Sequence, residues 1–110
     1  MMCNVTIEDV MNLGLKVGEI VEVDDHPNAE RLFVLKIDMG GEEIRTLVAG
    51  LKAFYNKDEL LGKKIVVVTN LKPKKLRGIE SQGMLLAASD GQNVKILTVD
   101  GDISEGSEVR

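Results

Sequence analysis

Apolar residues recur at every second position along much of this chain, so strands are the first expectation. Leu15, Val17, Val21 and Val23 alternate with polar neighbours and predict a long first strand. Glu19 and Ile20 break that phase beside Gly18, as a bulge does. Pro27 ends the strand. Phe33, Leu35, Ile37 and Met39 form a second period-two run, and Gly40-Gly41 is a hairpin turn signal. Residues 44–49 give a third strand. Residues 65–69 are a β-branched run with no polar alternation, which predicts a fourth strand buried on both faces. Residues 84–88 and 94–99 read as a fifth and a sixth, separated by the Asp90-Gly91 turn.

The period changes in two places. Thr6 is placed to cap a short helix over residues 7–13, with Asp9 three residues on as in a capping box, and Gly14 to stop it. Residues 50–61 carry Leu51, Phe54, Tyr55, Leu60 and Leu61, a spacing that predicts a helical turn or two closed by Gly62. Residues 72–82 hold Pro73 and Gly78, which interrupt any regular helix or central strand, so a loop is expected there. Strand–strand–strand–helix–strand–strand is the order of an OB-fold, a five-stranded Greek-key barrel in an all-β class. Residues 72–82 are then the loop between strands four and five, beside the binding face. Residues 1–14 and 94–110 are additions to the barrel. The polar tail, 100–110, has Ile103 and Val109 as its anchors.

At 110 residues the chain is expected to be one domain, residues 1–110, able to bury roughly two-thirds of its unfolded surface. Aromatic residues are 3%, so the core must be aliphatic and base-stacking platforms are scarce. His26 and Cys3 are single copies, which excludes a structural disulfide and a Cys/His zinc site and leaves histidine-based catalysis little to work with. His26 is expected to pack as a loop residue beside the barrel. Cys3 is expected to be idle in a terminus. Asp24 and Asp25 point to opposite faces of a strand, so they read as a solvated strand end, not a paired-carboxylate site. No cofactor or metal is expected. The start, Met1 to Asp9, lacks a basic flank and a long apolar run, so neither a signal peptide nor a membrane partner is expected, and the cytoplasm is the default.

Net charge is −4, which by itself argues against a nucleic-acid partner. Its distribution reverses that conclusion. Residues 63–79 hold six basic residues and no acid, while the other 93 residues carry a net −10. An acidic body with one basic stripe suits local anion capture. Lys72, Lys74, Lys75 and Arg77 are candidate phosphate contacts, with solvated loop charges as the plainer reading. Of Lys63 and Lys64, one is expected to face the groove and the other to be solvated. Asn70 has two open roles, a donor to phosphate or 2′-hydroxyl and a cap for the loop backbone. The Ser81 hydroxyl has the same pair of roles. Met84 follows Gly83 and reads either as an apolar contact for a base or ribose or as core.

The run Asn70-Leu71-Lys72-Pro73-Lys74-Lys75-Leu76-Arg77-Gly78-Ile79-Glu80-Ser81-Gln82-Gly83-Met84 resembles the signature of the tRNA-binding domain family. That family includes the β chain or C-terminal domain of methionyl-tRNA synthetase, small free-standing tRNA-binding proteins and a domain of phenylalanyl-tRNA synthetase β chains. Val17-Gly18-Glu19-Ile20, His26-Pro27-Asn28-Ala29-Glu30-Arg31-Leu32, Arg45 with Gly50-Leu51, and Leu60-Leu61-Gly62-Lys63 are also similar to its pattern. Gly14, Lys16 and Ala49 depart from it, all outside residues 70–84.

The resemblance implies an OB-fold homodimer that binds the folded form of tRNA and has no catalytic residues. The leading expectation is a tRNA-binding protein serving methionyl-tRNA synthetase, with the synthetase catalytic chain as a further partner. A peptide-binding chaperone of the same fold is the competing reading, and a synthetase-docking assembly module is a third. The shortage of aromatic side chains independently favours recognition of a folded RNA by backbone and shape. The homodimer is expected to join through residues 1–14 and 94–110, where Ile96, Leu97, Val99, Ile103 and Val109 need cover.

Overall fold

Strand β1 (Leu15–Asp25) is 11 residues long, enough to serve two neighbours. The computed structural model describes residues 4–110, so Cys3 lies outside the described residues. Along the chain come α1 (Ile7–Met11), β1, β2 (Phe33–Asp38), β3 (Ile44–Ala49), α2 (Lys57–Leu60), β4 (Lys64–Val68), β5 (Lys74–Leu76), β6 (Ile79–Ser81), β7 (Met84–Leu85), β8 (Ala87–Ser89) and β9 (Val94–Ile96). The main sheet runs β3-β2-β1-β4-β7, antiparallel throughout. Residues 81 and 82 then hydrogen-bond back to β3, where Gln82 N donates to Thr46 O at 2.8 Å and Val48 N to Ser81 Oγ at 3.0 Å. Those bonds bring the two edges together into a nearly closed five-stranded barrel, the OB-like arrangement expected, with α2 between β3 and β4.

The core is aliphatic. Ile20, Leu35, Ile37, Leu47, Leu60, Ile65 and Val67 are buried around Phe33, the one fully buried aromatic ring. All of residues 65–68 are buried, as a β-branched run enclosed on both faces requires. The bulge in β1 falls later than the alternation implies. Ile20 pairs with Ile37 and Glu22 with Lys36, leaving Val21 as the extra residue. Ile20 therefore points inward while Val21 is exposed. Ile20 and Val23 both pack in the core although they are three apart, and only an inserted residue keeps a strand's inner face in step with that spacing.

Both helices are shorter than the pattern suggests. Each has a complete capping box, Thr6 with Asp9 and Asn56 with Glu59. Residues 84–88 divide into β7 and the start of β8, because Leu86 bonds to Val66 O on one side and to Leu97 N on the other. The tail covers an edge that β2 leaves open. Val17 N donates to Ser107 O, and Gly106 N and Val109 N donate to Val17 O and Leu15 O. The tail needs glycine to get that close. A Cβ on Gly106 would lie 2.7 Å from Met39 O, and one on Gly40 2.6 Å from Glu105 O.

Candidate nucleic-acid interface

Residues 72–82, expected as a loop, form a β-hairpin at the mouth of the barrel. Lys74 pairs with Ser81, Lys75 with Glu80 and Leu76 with Ile79. Arg77 and Gly78 make the turn, both with positive φ, at 53° and 93°. Two left-handed residues in succession give the turn whose twist suits a tight hairpin. Pro73 and Gly78 thus do not prevent strands here. They set the hairpin's start and its turn, and the hairpin stays outside the main sheet.

Alternation along the hairpin sorts the basic residues. Lys74, Leu76, Ile79 and Ser81 share the face towards the barrel. Lys75 and Glu80 share the opposite face, so Lys75 has a carboxylate as its cross-strand neighbour. On the barrel side a hollow of about 230 Å³ is lined by Val48, Leu71, Lys72, Lys74, Ser81 and Met84, among others. Four of the residues singled out from the sequence therefore meet there. Leu71 and Met84 are 43% and 50% exposed, apolar surface in a hollow that Lys72 and Lys74 also line. Met84 is thereby placed at the surface and not in the core.

Arg77 faces a second groove, of about 440 Å³, lined by Asn28, Ala29, Glu30, Arg31 and Leu32. Arg31 was not singled out by the charge pattern, because it lies 46 residues from Arg77 in the chain. Among the described residues, Lys72, Lys74, Lys75, Arg77 and Arg31 form no ion pair within 4 Å.

The other candidates lie elsewhere or are engaged. Ser81 is buried, accepts from Val48 N and donates to Gly83 O at 3.0 Å. Asn70 donates through Nδ2 to Asn12 O at 2.6 Å, fastening the N-terminal segment. Lys63 and Lys64 are at the far end of β4 from Asn70. The Lys64 ammonium binds Ile103 O and Asp102, with Glu105 close by at 3.9 Å. That cluster fastens the tail. Within it, a hydrogen bond with Glu105 raises the pKa of Glu19, while its own backbone N–H and Glu19 lower that of Glu105. Lys52 and Lys57 both bind Asp25, whose carboxyl they hold below its usual range, so these two cations are matched within the chain.

Two side chains that charge and periodicity did not mark hold the hairpin in place. Arg45 on β3 donates through Nη1 to Thr69 O and Gln82 O, each at 2.9 Å, so it binds both ends of the segment that carries the hairpin. His26, 5% exposed, lies against Leu76 O at 2.9 Å. Phe54 is 43% exposed and belongs to the segment before α2. Among the described residues no group of three or more His, Cys, Asp or Glu is arranged to hold a metal. None of the helices described is long and apolar enough to cross a membrane.

Comparison with known proteins agrees with this geometry. Residues 15–108 match the family model described as "Putative tRNA binding domain". The chain is 58% identical over 106 residues to a methionine–tRNA ligase of Thermococcus onnurineus, covering 96% of this chain and 14% of that protein. It therefore spans a small part of the length of that relative. Among solved structures, a MetRS related protein from Pyrococcus horikoshii superposes with a TM-score of 0.90 at 34% identity, covering 99% of this chain and 100% of that one. The chaperone CsaA from Picrophilus torridus superposes with a TM-score of 0.88, also at 34% identity, covering 97% of this chain and 100% of that one. A family match that takes in nearly the whole barrel and the hairpin with it settles the assignment: the chain belongs to the tRNA-binding domain family.

Proposed function

We propose that this domain binds folded tRNA through the hairpin β5–β6, acts as a homodimer in the cytoplasm, and serves a methionine–tRNA ligase. Lys72, Lys74 and Arg77, with Arg31, are the phosphate contacts of this reading, and Leu71 with Met84 the apolar one. One observation carries it. Five cations with no ion-pair partner among the described residues, Arg31, Lys72, Lys74, Lys75 and Arg77, gather on and beside one hairpin at the barrel mouth, in a chain that is otherwise acidic. The domain supplies binding and leaves the chemistry to its partner. Holding tRNA beside a synthetase raises its effective concentration there.

Gel-shift titration with folded tRNA, unfolded tRNA and single-stranded DNA tests the reading. Folded tRNA is expected to bind most tightly, because the hairpin lacks aromatic stacking platforms for loose bases. With roughly four to six phosphates met, the log–log salt slope should lie near −3 to −5. A flat response would mean that the stripe is only a charged surface. Met84→Ala removes no charge and little buried surface. It is expected to lower affinity at an unchanged salt slope, with a melting temperature close to that of the parent protein.

The homodimer of this reading joins through the N-terminal segment and the tail. Ile96 packs against the protein's own core, so it needs no second copy. Val5, Ile7, Val10 and Leu13 are all exposed, and α1 buries none of its residues. This segment and the tail meet at the start of β1, where Val109 N bonds to Leu15 O. Leu97 and Ile103 of the tail are exposed as well. Sedimentation at micromolar concentration is expected to show a dimer, and a monomer would overturn that part of the proposal.

The likeness to CsaA supports a second reading, in which the exposed apolar segment captures unfolded peptide. Competition separates the two. A peptide that displaces tRNA, or that binds more tightly than tRNA does, would favour the chaperone reading.

A further inference from the structure

The hairpin is fastened unevenly. Its second strand is tied to β3 through Ser81 and Gln82, with Val48 N donating to Ser81 Oγ, Gln82 N to Thr46 O, and Thr46 N to Gln82 Oε1. Its first strand, β5, carries Lys74 and Lys75 and lies on the outer side. Among the described residues, its hydrogen bond to the body of the domain comes from one side chain, His26, 50 residues away.

The ring is held in a single form by what surrounds it. Asn28 N–H donates to Nδ1 at 3.0 Å. Nδ1 must therefore be unprotonated, and the ring proton sits on Nε2, where it donates to Leu76 O at 2.9 Å. Leu76 is the residue before Arg77, which adopts the left-handed conformation that a side chain enters at some cost. The imidazole thus joins the tight turn at residues 26–28 to the start of the hairpin turn. The same two segments, 28–32 and Arg77, line the groove that holds both arginines.

We infer that His26 is the positioning residue of the basic hairpin, acting through the Nε2–Leu76 bond to hold β5 and the Arg77 turn at the barrel mouth. At 5% exposure, it acts without touching RNA. The inference rests on the proposed reading of the hairpin as the tRNA contact, and its structural half is measured without tRNA.

Two substitutions divide the ring's two bonds. His26→Asn puts an oxygen where Nδ1 lies, so it keeps the Asn28 bond and loses the hairpin bond. His26→Gln reaches to where Nε2 lies, so it keeps a donor for Leu76 O and loses the other. In the Asn variant, amides of residues 74–81 should exchange faster while those of β1 and β2 keep their rates. Its tRNA affinity should fall about tenfold, the scale of one lost hydrogen bond, at an unchanged salt slope. The Gln variant should stay within about threefold of the parent protein in both measurements. Parental exchange at residues 74–81 in the Asn variant would overturn the inference, as would equal loss of affinity in both variants. Should either variant fail to fold, the nitrogen spectrum of the parent protein's imidazole decides: a proton on Nε2 supports the inference, and one on Nδ1 overturns it. Failure of the tRNA reading itself would show differently, as tRNA binding that survives charge reversal of the hairpin whatever the exchange data give.

Discussion

The variant with Lys72, Lys74 and Arg77 all changed to Glu is expected to keep its fold and lose tRNA. The three side chains lie on exposed backbone at the barrel mouth, and none has an ion-pair partner among the described residues. Replacing them leaves no buried carboxylate behind, so the melting temperature should move little. Binding should respond very differently. Three phosphate contacts become three repulsions, which should weaken affinity by at least about 100-fold, roughly 3 kcal/mol. The salt slope should flatten by about 3, since each neutralised phosphate releases close to one counterion. Lys75 is left out of this variant by design. It faces Glu80 across the hairpin, and a Glu there would set like charges opposite each other and disturb the strands themselves. Retained affinity would show that the hairpin is not the tRNA site.

Arg45→Met is expected to unsettle the domain from a position that the charge pattern leaves unmarked. The guanidinium donates to Thr69 O and Gln82 O, one at each end of the segment that carries the hairpin, and its Nε bonds Glu43 at 2.6 Å. Methionine has similar length and no donors. Two carbonyls would then lose a charged partner, each bond worth about 1.5–3 kcal/mol where solvent is excluded. The side chain is 26% exposed, so water recovers part of that loss. A net destabilisation of roughly 2–3 kcal/mol should lower Tm by roughly 10 °C. Affinity for tRNA should fall too, because the base of the hairpin is no longer closed. An unchanged Tm would mean that the bonds from Thr46 and Val48 to residues 81 and 82 suffice to close the barrel.

Much of the barrel could be read directly. Strands β2, β3 and β4 follow from alternation and from one unbroken β-branched run, since each of these strands has a face that must be buried. The basic stripe was visible too, because charge accumulated within 17 residues registers without any fold. The position of the bulge was not. Val21 and Ile20 are both apolar and β-branched, and which of them turns inward depends on the partner strands. Nor was the hairpin, whose first strand is three residues long and carries no alternating pattern of its own. It exists because β6 has β3 to lean on.

By itself the sequence determined the aliphatic core, the order of the main-sheet strands and the basic stripe, since each depends on residue type and near-neighbour spacing. Tertiary structure decided which cations face one another and which are already matched. Lys64 is engaged by Asp102, 38 residues later, and Lys52 with Lys57 by Asp25. Arg31 and Arg77 line one groove, and His26 and Arg45 hold the hairpin from two different strands' ends of the barrel. Such pairings join residues tens of positions apart. They follow from where the closed sheet brings side chains together, and local pattern carries no record of it.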